Sequence, residues 1–336
     1  MASSAIVVWA GFALGLVFGG ISQLSGFCLH RGLQELWLRR RGVKLRSFAL
    51  ALAVAILGTQ ALAWSGQIEL DRTFYAAPVF SWLLVPVGGV LFGVGMTLAN
   101  GCGARSLVLL GQGNLRSLVV LGCLAVAGYA TLTGVLAPGR QWLAELTPLA
   151  PGVWGRAYAL PYQAVAAVGW LALLAYALSG GALWQHRRDL LSGLAVGGLV
   201  VAGWVATGIV GADPFDPEPL ASLTFVAPLG AALQYLMIAT GMSLEFGAVV
   251  VFGTVVGAAI TAVATGSFQW QGYESAAQMR RYITGGLAMG VGGALAMGCS
   301  VGQGLTGMST LALSSLLALA GIILGSRLAS RGQASA

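Results

Sequence analysis

Residues 88–102 read GGVLFGVGMTLANGC, and residues 285–299 read GGLAMGVGGALAMGC. Without a gap the two agree at nine of fifteen positions: Gly88, Gly89, Gly93, Val94, Gly95, Leu98, Ala99, Gly101 and Cys102 each recur 197 residues later. A fainter copy, LGLVFGGISQLSGFC at 14–28, keeps Gly15, Phe18, Gly19, Leu24 and Cys28. Cys28, Cys102 and Cys299 therefore each follow a glycine (Gly19, Gly93, Gly290) by nine residues. A fourth segment, Gly193-Leu-Ala-Val-Gly197, keeps the glycines but has Ala206 where the cysteine would fall. The pattern is read as two halves, about 5–137 and about 190–326, each made of two related segments within a single domain of 336 residues.

Around these repeats the chain is strongly apolar: 57% of its 336 residues are hydrophobic, 8% are charged, and the mean hydropathy is +0.85. A soluble domain carries about 25% charged residues, so this chain could not cover its own core with a water-compatible surface. Its 51 glycines suit helices that approach closely in lipid. The expected fold is an all-α polytopic membrane protein. Soluble enzymes, nucleic-acid binders, secreted disulfide scaffolds and disordered chains are excluded. Runs long enough to span roughly 30 Å of hydrocarbon lie near 5–27, 47–65, 78–99, 117–137, 159–179, 190–211, 223–243, 246–266 and 308–326, and the glycine-filled 282–299 also qualifies. That is about nine transmembrane helices plus short re-entrant pieces.

The net charge of +7 sits in loops and reads as topology. The basic stretch 30–46 (Arg31, Arg39, Arg40, Arg41, Lys44, Arg46), Arg187 with Arg188, and Arg327 with Arg331 are assigned to the cytoplasm. The acidic turns around Glu69 and Asp71 and at 213–218 then lie outside, so the N-terminus is expected in the periplasm and the C-terminus in the cytoplasm. No Lys or Arg precedes Arg31, so the first apolar run is expected to be a retained helix rather than a cleaved signal peptide.

The stretches Asn100-Gly101-Cys102-Gly103 and Met297-Gly298-Cys299-Ser300 are poor continuous helix, and each leads into a more polar run. This predicts a helix that enters the membrane, breaks at the cysteine and leaves as a short half-helix. Broken backbone at that depth is tolerated only where it is buried or lines a cavity, so the cysteines are expected to face a pathway. A lone membrane cysteine is an ordinary packing residue, and Cys123, with no repeat partner, is read that way. Recurrence beside backbone breakers argues for function in Cys28, Cys102 and Cys299.

A thiol is a weak donor with a soft, polarisable sulfur. It can hold an anionic sulfur compound firmly enough to admit it and loosely enough to release it. Half-helix N-termini add partial positive charge toward an anion, and Arg105 could attract anions to the site. The candidate substrate-binding residues are Cys28, Cys102, Cys299, Asn100, Gly101, Gly298, Ser300, Gln303 and Arg105. Ser106, Gln112, Asn114, Thr306 and Ser309 could bond substrate oxygens or equally satisfy unwound backbone. No catalytic residue, metal ligand or cofactor is assigned. His30 suits proton handling but opens the basic stretch, so exposure is expected. Glu245, an acid within an apolar stretch, is either an ion-coupling group or a helix-junction residue.

The segments SGFCLHRG (25–32), LANGCG (98–103) and AMGCSVGQG (296–304) resemble the YeeE/YedE family of bacterial inner-membrane sulfur transporters, associated with thiosulfate uptake. Through the repeat the resemblance spans nearly the whole chain. It implies spanning helices around short central ones in inverted pseudo-twofold halves, with the three motif cysteines lining the path. It also implies a separate cytoplasmic sulfur-carrier protein of the TusA type, since this chain holds no such domain. The function so implied is a non-enzymatic permease importing thiosulfate or a related small sulfur anion, by transient hydrogen bonding to thiols without covalent change. Moving a dianion inward against an inside-negative potential costs about 4.6 kcal/mol per 100 mV. Consumption of sulfur in the cytoplasm is the simplest driving force, and the basic 30–46 stretch is where an acidic carrier could dock. Two other readings stay open: a membrane thiol-disulfide oxidoreductase exchanging at Cys102 and Cys299, and a Cu(I) transporter using the cysteines with Met96, Met289, Met297 and Met308.

Overall fold

The computed structural model describes residues 2–39, 42–77, 79–149, 161–212 and 219–334. Arg40, Arg41 and the acidic turn 213–218 lie outside them. Among these residues thirteen main helices follow one another: α1 (Ala2–Ser25), α2 (Leu29–Arg39), α3 (Val43–Trp64), α4 (Leu84–Leu98), α5 (Gly103–Gly111), α6 (Leu115–Leu132), α7 (Ala137–Leu146), α8 (Pro161–Leu178), α9 (Arg187–Val205), α10 (Val226–Ile238), α11 (Phe246–Ala264), α12 (Ala276–Leu295) and α13 (Leu313–Ala334). Short turns of helix intervene, among them Phe74–Ala76 and the π-helical Ala206–Val210 and Gly302–Gly307. The strands among the described residues are a two-residue antiparallel pair, Phe80–Ser81 with Pro148–Leu149.

The protein is an all-α polytopic membrane protein. Among the described residues seven helical stretches are long and apolar enough to cross a bilayer: Ala5–Leu38, Val43–Trp64, Leu84–Gly111, Leu115–Leu132, Arg187–Val210, Phe246–Ala264 and Leu313–Gly332. Two shorter apolar helices, Ala167–Leu178 and Val226–Gly241, accompany them. Two sequence boundaries shift. The run 223–243 yields only the 13-residue α10, because Phe225 and Ile238 both leave helical backbone. The glycine-filled 282–299 divides between the rest of α12, up to Leu295, and the break after it; α12 starts at Ala276 under a Ser275 cap and carries Arg280 and Arg281 in its first half.

The same arrangement occurs four times: a long helix with a Gly-x-x-x-Gly pair, a central break or bend, a short helix, then a second long helix. The sets are α1–α2–α3, α4–α5–α6, α9–α10–α11, and α12 through the turn Gly302–Gly307 to α13. They pack reciprocally. α1 lies on α11 while α9 lies on α3, and α4 lies on α13 while α12 lies on α6. α4 and α12 also pack on each other antiparallel, so each break lies beside the first glycine of the other helix's repeat: Ala99 against Gly285 and Ala296 against Gly88.

Close approach of backbones explains the repeated glycines. A methyl group on Gly19 would strike the Thr254 carbonyl oxygen, and one on Gly93 the Ile322 carbonyl oxygen. On Gly197 it would come within 2.5 Å of the Ala51 oxygen, and on Gly290 within 2.6 Å of the Leu124 oxygen. In each unit the glycine lets its helix rest directly on the partner's main chain, which is how helices gain contact where lipid competes for apolar surface.

The breaks are equally regular. Gly26 (φ 65), Asn100 (φ 58) and Met297 (φ 60) occupy the left-handed region at matching repeat positions, each two residues before a cysteine. For Asn and Met this conformation costs roughly 1–2 kcal/mol. Gly101 N then donates to Met96 O at 2.9 Å and Gly298 N to Gly293 O at 2.8 Å, each bond spanning five residues and closing the outgoing helix end. The chain restarts at the cysteine, whose carbonyl accepts the first bond of the next short helix: Gly32 N to Cys28 O at 3.1 Å, Ser106 N to Cys102 O at 2.9 Å, and Gln303 N to Cys299 O at 2.7 Å. In the remaining unit α9 runs without a break through Ala206 into the π turn.

Candidate functional site

The three break cysteines come from opposite ends of the sequence and share one buried cluster, with Cys28 5%, Cys102 2% and Cys299 0% exposed. The Cys28 and Cys102 side chains adjoin each other, Ser300 stands beside Cys102, and Cys299 follows within electrostatic range. Cys299 Sγ accepts a hydrogen bond from Gly302 N at 3.2 Å. All four cysteines are free thiols. Cys123 stands apart, half-buried on α6 against Gly286 of α12.

Polar groups without partners gather at these breaks. Arg105 Nη1, Ser300 Oγ and Gln303 Oε1 are buried and have no hydrogen-bond partner among the described residues. Groups left unpaired in this way are unusual and suit a ligand that comes and goes. The Arg105 guanidinium lies within electrostatic range of Cys28, Cys102 and Arg31. Gln303 also supports the break itself, since its Nε2 donates to Ala296 O at 2.8 Å and Met297 O at 3.0 Å and so satisfies the unwound backbone. Gly101 and Gly298 are buried in the two breaks, facing Arg105 and Gln303 respectively, whereas Asn100 is exposed and supplies a left-handed turn.

Among the other polar candidates, several are occupied by structural bonds. Asn114 caps α6 through Arg116 N, Gln112 donates to Ser267 O, and Thr306 donates to Leu223 O at 2.6 Å. Ser309 bonds Thr59, Trp204 and Thr306 O. Met96 and Met289 are completely buried at the α4–α12 crossing, and no group of three His, Cys, Asp or Glu able to hold a metal occurs among the described residues.

One expectation about a titratable group changes, and one open reading narrows. His30 is not exposed: it is 0% accessible, and neither ring nitrogen has a hydrogen-bond partner among the described residues. It turns inward because α2 begins directly after Cys28, at Leu29, and folds back on α3. Glu245 is exposed at the start of α11, where its carbonyl accepts from Val249 N, so it is a junction residue. Among the described residues the buried acid is Asp189, next to Arg187 and Arg188. Its Oδ1 meets Lys44 Nζ at 2.5 Å, and Lys44 also donates to Ser25 O three residues before Cys28. Charge spacing gives no hint of this pair, because 145 residues separate its members.

A family model described as "Sulphur transport" matches residues 24–328. Two similar proteins are both named thiosulfate transporter TsuA. The one from Escherichia coli is 25% identical over 345 residues, covering 95% of this chain and 92% of the relative. The one from Spirochaeta thermophila is 23% identical over 326 residues, covering 95% and 97%.

Proposed function

The chain belongs to the sulphur transport family, and on that premise we propose that it imports thiosulfate, or a closely related small sulfur anion, past a row of cysteine thiols. The observation that carries this reading is the convergence of Cys28, Cys102 and Cys299, each opening a short helix, in one buried cluster ringed by unpartnered polar atoms. The naming of both relatives as thiosulfate transporters supports the choice of anion. Sulfur donors and helix N-termini attract the anion weakly at successive points, with Arg105, Ser300 and Gln303 offering further bonds. Weak, repeated binding is what conduction requires.

The reciprocal packing of the four units supports two pseudo-twofold halves, about 5–137 and about 190–326, with the path where they meet. The basic loops support a C-terminus in the cytoplasm and an N-terminus in the periplasm of a bacterial inner membrane. A separate TusA-like carrier removing sulfur on the cytoplasmic side would balance the cost of moving a dianion inward.

The test is uptake of labelled thiosulfate by cells lacking other importers. Losing one charge-assisted contact of about 1.5 kcal/mol or more slows passage roughly tenfold, so Cys102→Ala and Cys299→Ala should each lose at least that. Cys123→Ala should stay within about twofold of wild type. No uptake by the wild type would refute the substrate, and full uptake by the double Cys102→Ala, Cys299→Ala variant would refute the thiol path.

A further inference from the structure

The one-turn helix Phe74–Ala76 sends Tyr75 into the interior, although it belongs to a connection between spanning helices. The ring lies along the π-helical turn Gly302–Gly307 that follows Cys299. A methyl group on Gly302 would come within 2.5 Å of Thr224 Oγ1 and 3.5 Å of the Tyr75 hydroxyl. One on Gly307 would come within 2.8 Å of the Tyr75 ring and 2.9 Å of Gln303 Oε1, and would strike Ser315 Oγ. The Tyr75 and Thr224 hydroxyls are hydrogen-bond neighbours, and Tyr75 lies within electrostatic range of Cys299. Gly302, on which both hydroxyls converge, is also the residue whose N–H binds the Cys299 sulfur.

Two polar atoms in this group are unsatisfied. Ser315 Oγ and Gln303 Oε1 belong to fully buried residues and have no partner among the described residues. Thr224 is only half-buried and keeps a side open. The cluster thus sets hydroxyl donors against one soft sulfur. A sulfur oxyanion has the matching shape, with oxygens that accept hydrogen bonds at one end and a polarisable sulfur at the other.

We propose that Tyr75, Thr224 and Ser315 form, with Cys299, a subsite that binds the oxygen end of a sulfur oxyanion and so separates oxyanions from hydrosulfide. This rests on the transport reading above and adds a substrate class to it. The hydroxyls act on specificity: hydrosulfide offers them one diffuse sulfur, a weaker acceptor than the several oxygens of an oxyanion. A site built to hydrogen-bond oxygen discriminates strongly against an analogue that lacks it.

The experiment measures equilibrium binding of labelled thiosulfate to purified protein, its displacement by sulfite and by hydrosulfide, and uptake in the same variants. Tyr75→Phe and Thr224→Val should each weaken thiosulfate and sulfite binding about five- to tenfold, with hydrosulfide displacement unchanged. Thr224→Ser, which keeps the hydroxyl, should bind like the wild type and serves as the folding control. Unchanged oxyanion binding in Tyr75→Phe and Thr224→Val, or an equal loss for hydrosulfide, would overturn the subsite while leaving transport intact. Selective loss of oxyanion binding in a protein that moves no thiosulfate would overturn the transport reading and keep the subsite. A wild type that binds no oxyanion overturns both.

Discussion

At the scale of single residues, the central breaks depend on who occupies the left-handed position before each cysteine. Gly26 adopts it freely, while Asn100 and Met297 hold it against a conformational cost. Asn100 is exposed, so its side chain is free to change without disturbing packing. Asn100→Gly should keep uptake and gain up to about 1 kcal/mol of stability. Asn100→Val should lose on the order of 1–2 kcal/mol, because a β-branched residue resists positive φ. Thermal unfolding of the two detergent-solubilised variants checks this. Were Asn100 a ligand contact instead, Asn100→Gly would lose uptake with no loss of melting temperature. His30 shows where residue-level reading stops. Its place beside a run of arginines suggests water, yet the chain reverses at Cys28 and carries the imidazole inside.

Among elements, the glycine pairs of the four long helices do the same packing work whether or not a cysteine follows. Gly197 belongs to the unit without a break, and its neighbour Gly198 faces open space. Gly197→Ala should therefore cost about 1–3 kcal/mol through collision with α3. Gly198→Ala should be neutral or stabilise by up to about 1 kcal/mol through helix propensity alone. Melting temperatures of the two variants make the comparison within one helix turn. Equal values would mean that α9 does not rest on α3 through its glycines. The same logic explains why repetition was visible in the sequence at all. Glycine facing a partner's carbonyl cannot be replaced, so the pattern survives where surrounding apolar residues have diverged.

For the molecule as a whole, the Lys44–Asp189 pair ties the starts of α3 and α9 to the end of α1 beside Cys28. Both side chains are mostly buried, at 17% and 12% exposure. Lys44→Met would strand a carboxylate, which costs on the order of 3 kcal/mol. The double variant Lys44→Met, Asp189→Leu should recover most of that, since a buried ion pair is replaceable by apolar groups of similar size. A double variant no more stable than Lys44→Met would show that Asp189 is well solvated and the pair incidental.

Composition determined the membrane class, because too few charged residues exist to face water. The repeat alone marked three cysteines as equivalent, and local glycine with the following polar run marked a backbone break at Cys102 and Cys299, since these act within a few residues; the matching break at Cys28 came from the structure. Partnership was beyond the repeat's reach. That α1 lies on α11 rather than on α3, that Cys28 adjoins Cys102, that Asp189 is buried against Lys44 and that Tyr75 reaches the turn after Cys299 are contacts across long stretches of chain. Such contacts are selected by which helix backbones fit closest over their full length. That is a property of the assembled bundle, and no local run of residues encodes it.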